Sequence, residues 1–498
     1  MRRVARPIDP ALASVLQAQN AAYETSPARE AHLRALRTGA CAVVTGQQTG
    51  LFLGPLYTVY KAASTIRLAR ALSERWSAPV VPIFWLQTED HDAAEIAVCH
   101  VARGSDPPLT LRLPVAEEAV SVAQRVLPAA VSERLSTLSE TLARLPHGEE
   151  HLDCLARHYR PGAGWAEAFA GVMATLFAEE GLVMVDPRDP ALAPLSAPVH
   201  RRALDESGPI ARALTERVLA LEAAGFHAGV HVRDGAPLSF LHPDGPAGPR
   251  CRLAPAKDGF VEVGGTRRHT LAELIALLER EPARFSTSAL LRPILQDSWL
   301  PTVAYVGGPG EIAYFAQLSP LYAAFELTMP IVVPRAQFRL VERPTRDALA
   351  RRRLTPAAAC KPFDEALASA TGAGPNEATG PRIAQQIVDG MERAFEGVAP
   401  QLQEAGERGE RALAKTRRSI AHSADKLGRS VDRARILRDR DAVDDVRRIQ
   451  ARLLPGGAPQ ERFFGLSSFA ARHGQRAVIE RVLAAAEPLT TGFGDIDL

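Results

Sequence analysis

Apolar and polar positions alternate along this chain in two rhythms. Short runs rich in Val and Ile occur at Cys41–Thr45, Pro79–Leu86, Leu182–Val185, Thr302–Val306 and Pro330–Val333. None alternates strictly, as expected of strands covered on both faces. Between them, residues 55–75, 165–180 and 311–325 carry apolar side chains at steps of three and four, the stripe of an amphipathic helix. Leu56, Val59, Ala63, Ile66 and Ala69 mark the clearest stripe, and Pro55 stands where a first helical residue belongs. Strands separated by helices predict an α/β fold with a doubly wound, mostly parallel sheet.

Departures from that rhythm divide the chain. Residues 1–96 are expected to form the first part of a Rossmann-like core, 161–191 its continuation and 286–367 its second part. Residues 97–160 read as one insertion, opening with a hairpin (VCHVARG, LTLRLPV) and continuing as helix. Residues 192–285 read as another, two helices followed by a small antiparallel sheet over 227–265. The glycine-rich stretch 368–382 predicts a linker, and 383–454 a coiled-coil helical arm. Met391, Val398 and Ala405 recur every seven residues there, as do Leu413, Ile420, Leu427 and Ala434. Pro400, Gly406 and Gly409 interrupt the arm, so one or several helices remain open. Residues 455–498 resume a globular pattern and are expected to pack on the core.

Composition narrows the classes. Over 498 residues, 46% are hydrophobic, 23% are charged and the net charge is +2. No basic field argues for nucleic acid, and no apolar run of about 20 residues argues for a membrane span. Five scattered cysteines without CxxC spacing favour neither a disulfide framework nor a four-cysteine zinc site. A cytoplasmic protein is expected.

Candidate chemistry gathers at predicted strand ends, where open α/β sheets bind ligands. The segment VVTGQQTGLFLGPLYTVYK (43–61) reads as strand, glycine turn and helix. Thr45, Gly46, Gln47, Gln48, Gly50, Gly54, Tyr57 and Lys61 are its candidate site residues. Free backbone N–H groups there suit a phosphate or carboxylate. Lys61 is one of only five lysines, the others being Lys257, Lys361, Lys415 and Lys426. The second strand ends in Glu89, Asp90, His91 and Asp92, groups able to bind a metal, orient an amine or move a proton; one of them can also cap a helix. The fourth strand runs into Gly307, Gly308, Glu311 and Tyr314, with Arg292, Gln296 and Asp297 just upstream and Arg335 after the last strand. His147, His151, Cys154 and His158 have zinc-ligand spacing, and an exposed polar helix face is the commoner explanation. There is no GxxxxGK[ST], no GxSxG, and no GxGxxG opening a helix.

The blocks TGQQTGLFLGPLYTVYKA, VPIFWLQTEDHD, LRPILQDSWLPTVAYVGGPGEIAYFAQL, MPIVVPR and PGGAPQERFF resemble the bacillithiol-biosynthesis cysteine-adding enzymes, the BshC family. They span the chain from about residue 41 to the tail, in the family's order. The resemblance implies a fold similar to class I aminoacyl-tRNA synthetases, with two connecting-peptide insertions and a coiled coil that forms a homodimer. HxGH and KMSKS are absent, and TGQQTGLFLGP stands in the place of the first. The implied reaction joins cysteine to the amine of glucosaminyl-malate. An unactivated carboxylate is a poor acyl donor, so ATP, with or without Mg²⁺, is the expected co-substrate, and no tightly bound cofactor is expected. On this reading Gln47, Gln48, Gly50 and Gly54 line the nucleotide or cysteine site, with Lys61 near developing phosphate charge. Glu89, Asp90, His91 and Asp92 would position and deprotonate the amine or hold Mg²⁺. Gly307, Gly308 and Glu311 would complete the cleft, and Arg335 would clamp the malate. Two other classes stay open: a metal-dependent hydrolase using the acidic motif, and a non-catalytic dimeric scaffold.

Overall fold

The apolar runs become one five-stranded parallel sheet. Its strands are β1 (Cys41–Gln47), β2 (Val80–Leu86), β3 (Val183–Val185), β4 (Thr302–Gly307) and β5 (Ile331–Pro334), in the spatial order β5-β4-β1-β2-β3. A computed structural model describes residues 4–104, 106–372, 379–404, 406–490 and 492–498.

Both faces of the sheet are covered, which is why its strands lack alternation. Val43, Val80, Ala304, Val306 and Val333 pack against Leu68 and Ala69 of the helix Tyr57–Trp76. Ala42, Val44, Val81, Ile83, Trp85 and Val185 face the opposite way, onto Leu12, Leu16, Leu33 and Leu36 of two N-terminal helices. Each fully buried aliphatic side chain contributes about 1.5–3 kcal/mol. The chain enters the sheet at β1 and builds outward on both sides. The crevice between the ends of β1 and β4 is therefore the topological switch point.

The helix expected from residue 55 begins at Tyr57. Pro55 instead bridges to Gly465, and Leu56 donates its N–H to the Phe464 carbonyl at 2.9 Å. The single helix expected over 311–325 is two, Pro309–Phe315 and Ser319–Ala324. Residues 97–160 hold the antiparallel pair Val98–Arg103 and Asp106–Arg112, then the helices Ala130–Leu142 and Gly148–His158. Further on, Ser239–Leu241, Cys251–Ala256, Gly259–Glu262, Arg268–His269 and Phe285–Thr287 form a second, antiparallel sheet.

The chain divides into two compact units, one ending at Phe338 and resuming over Glu461–Ile496, the other formed by Arg339–Gln460 with Asp497–Leu498. Within the second, the helices Thr379–Glu404 and Gly406–Ile436 pack along each other. Arg417 pairs with Glu392 across them at 2.6 Å. The buried seam runs through Met391, Ala424 and Gly428, whereas Val398 and Leu427 of the expected heptads are exposed. Ala405 lies outside the described residues. The third helix, Arg440–Leu453, leaves the arm: Val446, Ile449 and Leu453 join a small core with Leu349, Ala359 and Leu367. The expected linker is also shorter than 368–382. The helix Phe363–Ala370 runs into it, and Asp432 accepts the N–H groups of Thr379 and Gly380 at the next helix start. Its middle, 373–378, lies outside the described residues.

Candidate functional site

A cavity of about 420 Å³ opens at the carboxyl ends of β1, β2 and β4. Gln47, Gln48, Tyr57, Lys61, Glu89, Asp90, Arg292, Gly308, Glu311, Tyr314 and Arg335 line it, so eleven of the sequence candidates meet there.

Lys61 forms the floor. Its buried ammonium donates to the Gly46 carbonyl at 2.7 Å and to Gln47 Oε1 at 2.8 Å, and pairs with Glu311. An ammonium has three protons, and all three are committed. Glu311 is equally engaged. It accepts the Tyr305 hydroxyl at 2.6 Å and the Gly308 N–H at 2.8 Å besides Lys61. Burial opposes its ionisation, yet these partners outweigh burial and hold its carboxyl below the ordinary range. Lys61 is thus an anchor tying helix Tyr57–Trp76 to β1 and to the turn after β4, rather than a free charge.

The acidic motif spreads its side chains to separate tasks. Glu89 is buried and accepts both the N–H of Thr287, at 2.9 Å, and its hydroxyl, binding the motif to the second sheet. Asp92 lies off the cavity wall, where it caps the short helix Ala93–Ile96 by accepting the Glu95 N–H at 3.1 Å. His91 also lies off the wall, with Arg250 Nε donating to its Nδ1 at 3.0 Å. Arginine has no acceptor, so Nδ1 must present its lone pair and the ring proton sits on Nε2. Burial, then the Arg250 charge, lowers the His91 pKa. With its basic nitrogen occupied, His91 is not placed to take a proton as expected. Asp90 lines the cavity beside Glu89; its Oδ2 accepts from Gln48 Nε2 at 2.7 Å, and its Oδ1 from the His91 N–H at 2.7 Å and Arg250 Nη2 at 3.4 Å. Among the described residues no group of three or more His, Cys, Asp and Glu side chains is arranged to hold a metal. The helix Gly148–His158 follows suit: His151 Nε2 lies 2.8 Å from Ser467 Oγ, and His151 and Cys154 are buried rather than on an exposed face.

The glycine turn after β1 is no anion cradle. A Cβ on Gly50 would lie 2.8 Å from the Gly54 Cα, and Gly54 has φ +61°. The glycines therefore serve a close chain crossing. The Gly54 N–H bonds to the Leu51 carbonyl and the Leu53 N–H to the Tyr159 hydroxyl. Thr45 is buried in the sheet, donating to the Val306 carbonyl at 2.7 Å. Gly46, Gly50, Gly54 and Gly307 lie behind the wall rather than on it. Gln296 and Asp297 are set back too. Their helix, Arg292–Trp299, runs away from the cavity, so only Arg292 faces it. Gln296 accepts from Arg292 at 2.9 Å and donates to Asp297 at 2.8 Å, and burial raises the Asp297 carboxyl to about 6.

Arg335 reaches the wall, but its guanidinium is spoken for. Two parallel bonds of 2.9 and 2.6 Å join it to Glu461, with both side chains buried. Arg292 and Arg462 differ: among the described residues neither forms an ion pair, and Arg292 instead donates to Gln296 Oε1 and to the Tyr314 hydroxyl, at 2.9 Å each.

Sequence reasoning missed Trp85, Gln87, Glu95, Arg250, Thr287, Ser288 and Arg462 on this wall. Glu95 and Arg462 stood in or beside segments already singled out. Arg250 follows a Gly/Pro-rich loop and carried no signal.

The chain matches two family models. Residues 2–336 match the bacillithiol biosynthesis BshC N-terminal Rossmann-like domain, and 338–498 the BshC C-terminal coiled-coil domain. The chain belongs to the BshC family. Curated BshC relatives, provisionally named cysteine ligases, include one from Solibacter usitatus, 34% identical over 93% of this chain and 85% of the relative. Another, from Symbiobacterium thermophilum, is 33% identical over 97% and 88%. The BshC blocks quoted above supply most of the cavity wall, the late ERFF included through Arg462 and the Glu461 partner of Arg335. No described helix is long and apolar enough to cross a membrane.

Proposed function

We propose that the chain is a ligase that joins the carboxyl group of cysteine to the free amine of glucosaminyl-malate, the last step of bacillithiol biosynthesis. The observation that carries this reading is the division of charge in the cavity. Arg292 and Arg462, which form no ion pair among the described residues, stand on the same wall as Asp90 and Glu95. Substrates carrying both carboxylates and an amine fit such a wall.

The two arginines suit the malate or cysteine carboxylate through their planar donor forks. Asp90 receives the acceptor's ammonium. Glu95, whose carboxyl is raised by burial, takes the proton that makes the amine nucleophilic. ATP is the proposed co-substrate. It converts the cysteine carboxylate into an acyl donor with a leaving group, which the amine displaces as the C–N bond forms. Mg²⁺ would accompany the nucleotide. The exposed Val398 and Leu427 on the helical arm support a homodimer.

The purified chain, given cysteine, glucosaminyl-malate and ATP, should yield the amide-linked thiol by mass spectrometry. The folded Asp90→Ala, His91→Ala double variant should not. Equal product from both would refute the assignment.

A further inference from the structure

Asp297 is a buried carboxylate with no part in the proposed reaction. Among the described residues it forms no ion pair; the side chains of Gln296, at 2.8 Å, and of Tyr322 donate to its two oxygens. Arg6 directs its donors elsewhere, to the main-chain carbonyls of Asp297, Ser298, Trp299 and Leu300. A buried charge without a counter-charge is costly, and an apolar side chain of similar volume would serve packing better. What the carboxylate provides is direction. Raised to about 6 by burial, it is still mostly ionised at neutral pH, and an ionised carboxylate only accepts. Gln296 must therefore turn its Nε2 toward Asp297, which turns its Oε1 toward Arg292 Nη1 at 2.9 Å. With the amide reversed, two donors would face each other, since arginine has no acceptor.

We propose that Asp297 is a positioning residue: acting through Gln296, it fixes the guanidinium of Arg292 in the orientation that receives a substrate carboxylate at the cavity wall. The choice of a carboxylate as the ligand rests on the ligase reading. Two bonds hold that guanidinium, Nη1 to Gln296 on its own helix and Nη2 to the Tyr314 hydroxyl on the helix Pro309–Phe315, at 2.9 Å each. The Tyr305 ring, its centroid 5.2 Å from the guanidinium carbon, adds a third support. An amide and a hydroxyl fix Arg292 without cancelling its charge. Arg335 is the contrast, because Glu461 both holds it and neutralises it. A planar fork recognises a carboxylate through two parallel bonds, so its angle matters as much as its charge. Setting the Asp297 carboxylate behind Gln296 fixes that angle and leaves the arginine's charge for a ligand.

The test uses the full chain, L-malate as a carboxylate probe, and titration calorimetry beside thermal melts. Gln296→Met removes the amide, and Asp297→Leu removes the group that orients it. Two positions keep a single folding failure from deciding the matter. Each variant should weaken malate binding about tenfold, the loss of one charge-assisted bond, and raise the KM for glucosaminyl-malate more than it lowers kcat. Asp297→Asn should recover most of that affinity, because its Oδ1 can accept from Gln296 while its amide faces the Tyr322 hydroxyl, an acceptor in turn. Tyr322→Phe removes the other donor to Asp297 and should lower the melting temperature with malate affinity retained. A purely structural carboxylate predicts instead that folded variants at all three positions bind malate as the wild type does. That result would overturn the proposal. So would an equal loss of affinity in Tyr322→Phe, or a wild-type chain that binds no malate at millimolar concentration. If Gln296→Met and Asp297→Leu lose malate while no amide ever forms from cysteine, the positioning role stands and the ligase reading falls. Amide formation with a wild-type KM for the acceptor in both variants does the reverse.

Discussion

Arg250 donates its Nε–H to Nδ1 of His91 at 3.0 Å, fixing which imidazole nitrogen carries the proton. The two residues are 159 positions apart in sequence, so the contact also ties the acidic motif to the antiparallel sheet.

This contact predicts a pH response. The folded chain resists protonating His91, whereas the unfolded chain takes that proton near the ordinary value of 6.5. The unfolded state therefore binds more protons as pH falls through 6.5, and stability drops there. Nitrogen-15 spectra of the imidazole should show a proton on Nε2 and a midpoint below 6.5. Arg250→Leu should raise that midpoint. A wild-type midpoint at or above 6.5 would contradict the arrangement.

The buried Lys61–Glu311 pair predicts a different signature. Glu311→Gln leaves an ammonium without its counter-charge and should cost about 3 kcal/mol in urea unfolding. The lowered Glu311 carboxyl contributes stability above its unfolded value of 4.5, which is lost as pH falls through the folded value. The variant should show a flatter stability profile across that acid range.

Neighbouring carboxylates in the acidic motif should separate by assay. Asp90→Asn should lower kcat/KM by about 100-fold or more, with a loss of stability confined to its 3.4 Å contact with Arg250 Nη2. Glu89→Gln should instead destabilise by about 1–3 kcal/mol, because it disturbs the paired bonds from Thr287.

Arg335→Lys distinguishes a scaffold arginine from a substrate clamp. Lysine keeps the charge but cannot reproduce two parallel bonds to Glu461. The expected result is a lower unfolding midpoint with little change in the KM for the acceptor. The opposite pattern would return Arg335 to the role the sequence suggested.

The sheet was legible because each strand is a short apolar run whose length survives folding nearly unchanged. Val80–Leu86 starts one residue later than expected, and Ile331–Pro334 is shifted by one residue at both ends. Convergence of the strand ends was legible too, since a parallel sheet forces its βα turns to one edge. Roles within the site were not. Lys61 and Arg335 look from sequence like open charges, and only their partners Glu311 and Glu461 reveal them as anchors. Arg250 and Arg462 reach the wall from distant segments, through contacts that no local periodicity encodes. The glycine turn misled for a related reason: glycine permits an anion to approach and permits a chain to cross, and the sequence does not separate the two.

The most direct measurement compares low-molecular-weight thiols and glucosaminyl-malate in the host with and without this gene. A cysteine ligase acting on that amine predicts loss of the thiol and accumulation of glucosaminyl-malate, both reversed by the wild-type chain and not by Asp90→Asn. An unchanged thiol pool with no accumulation would contradict it.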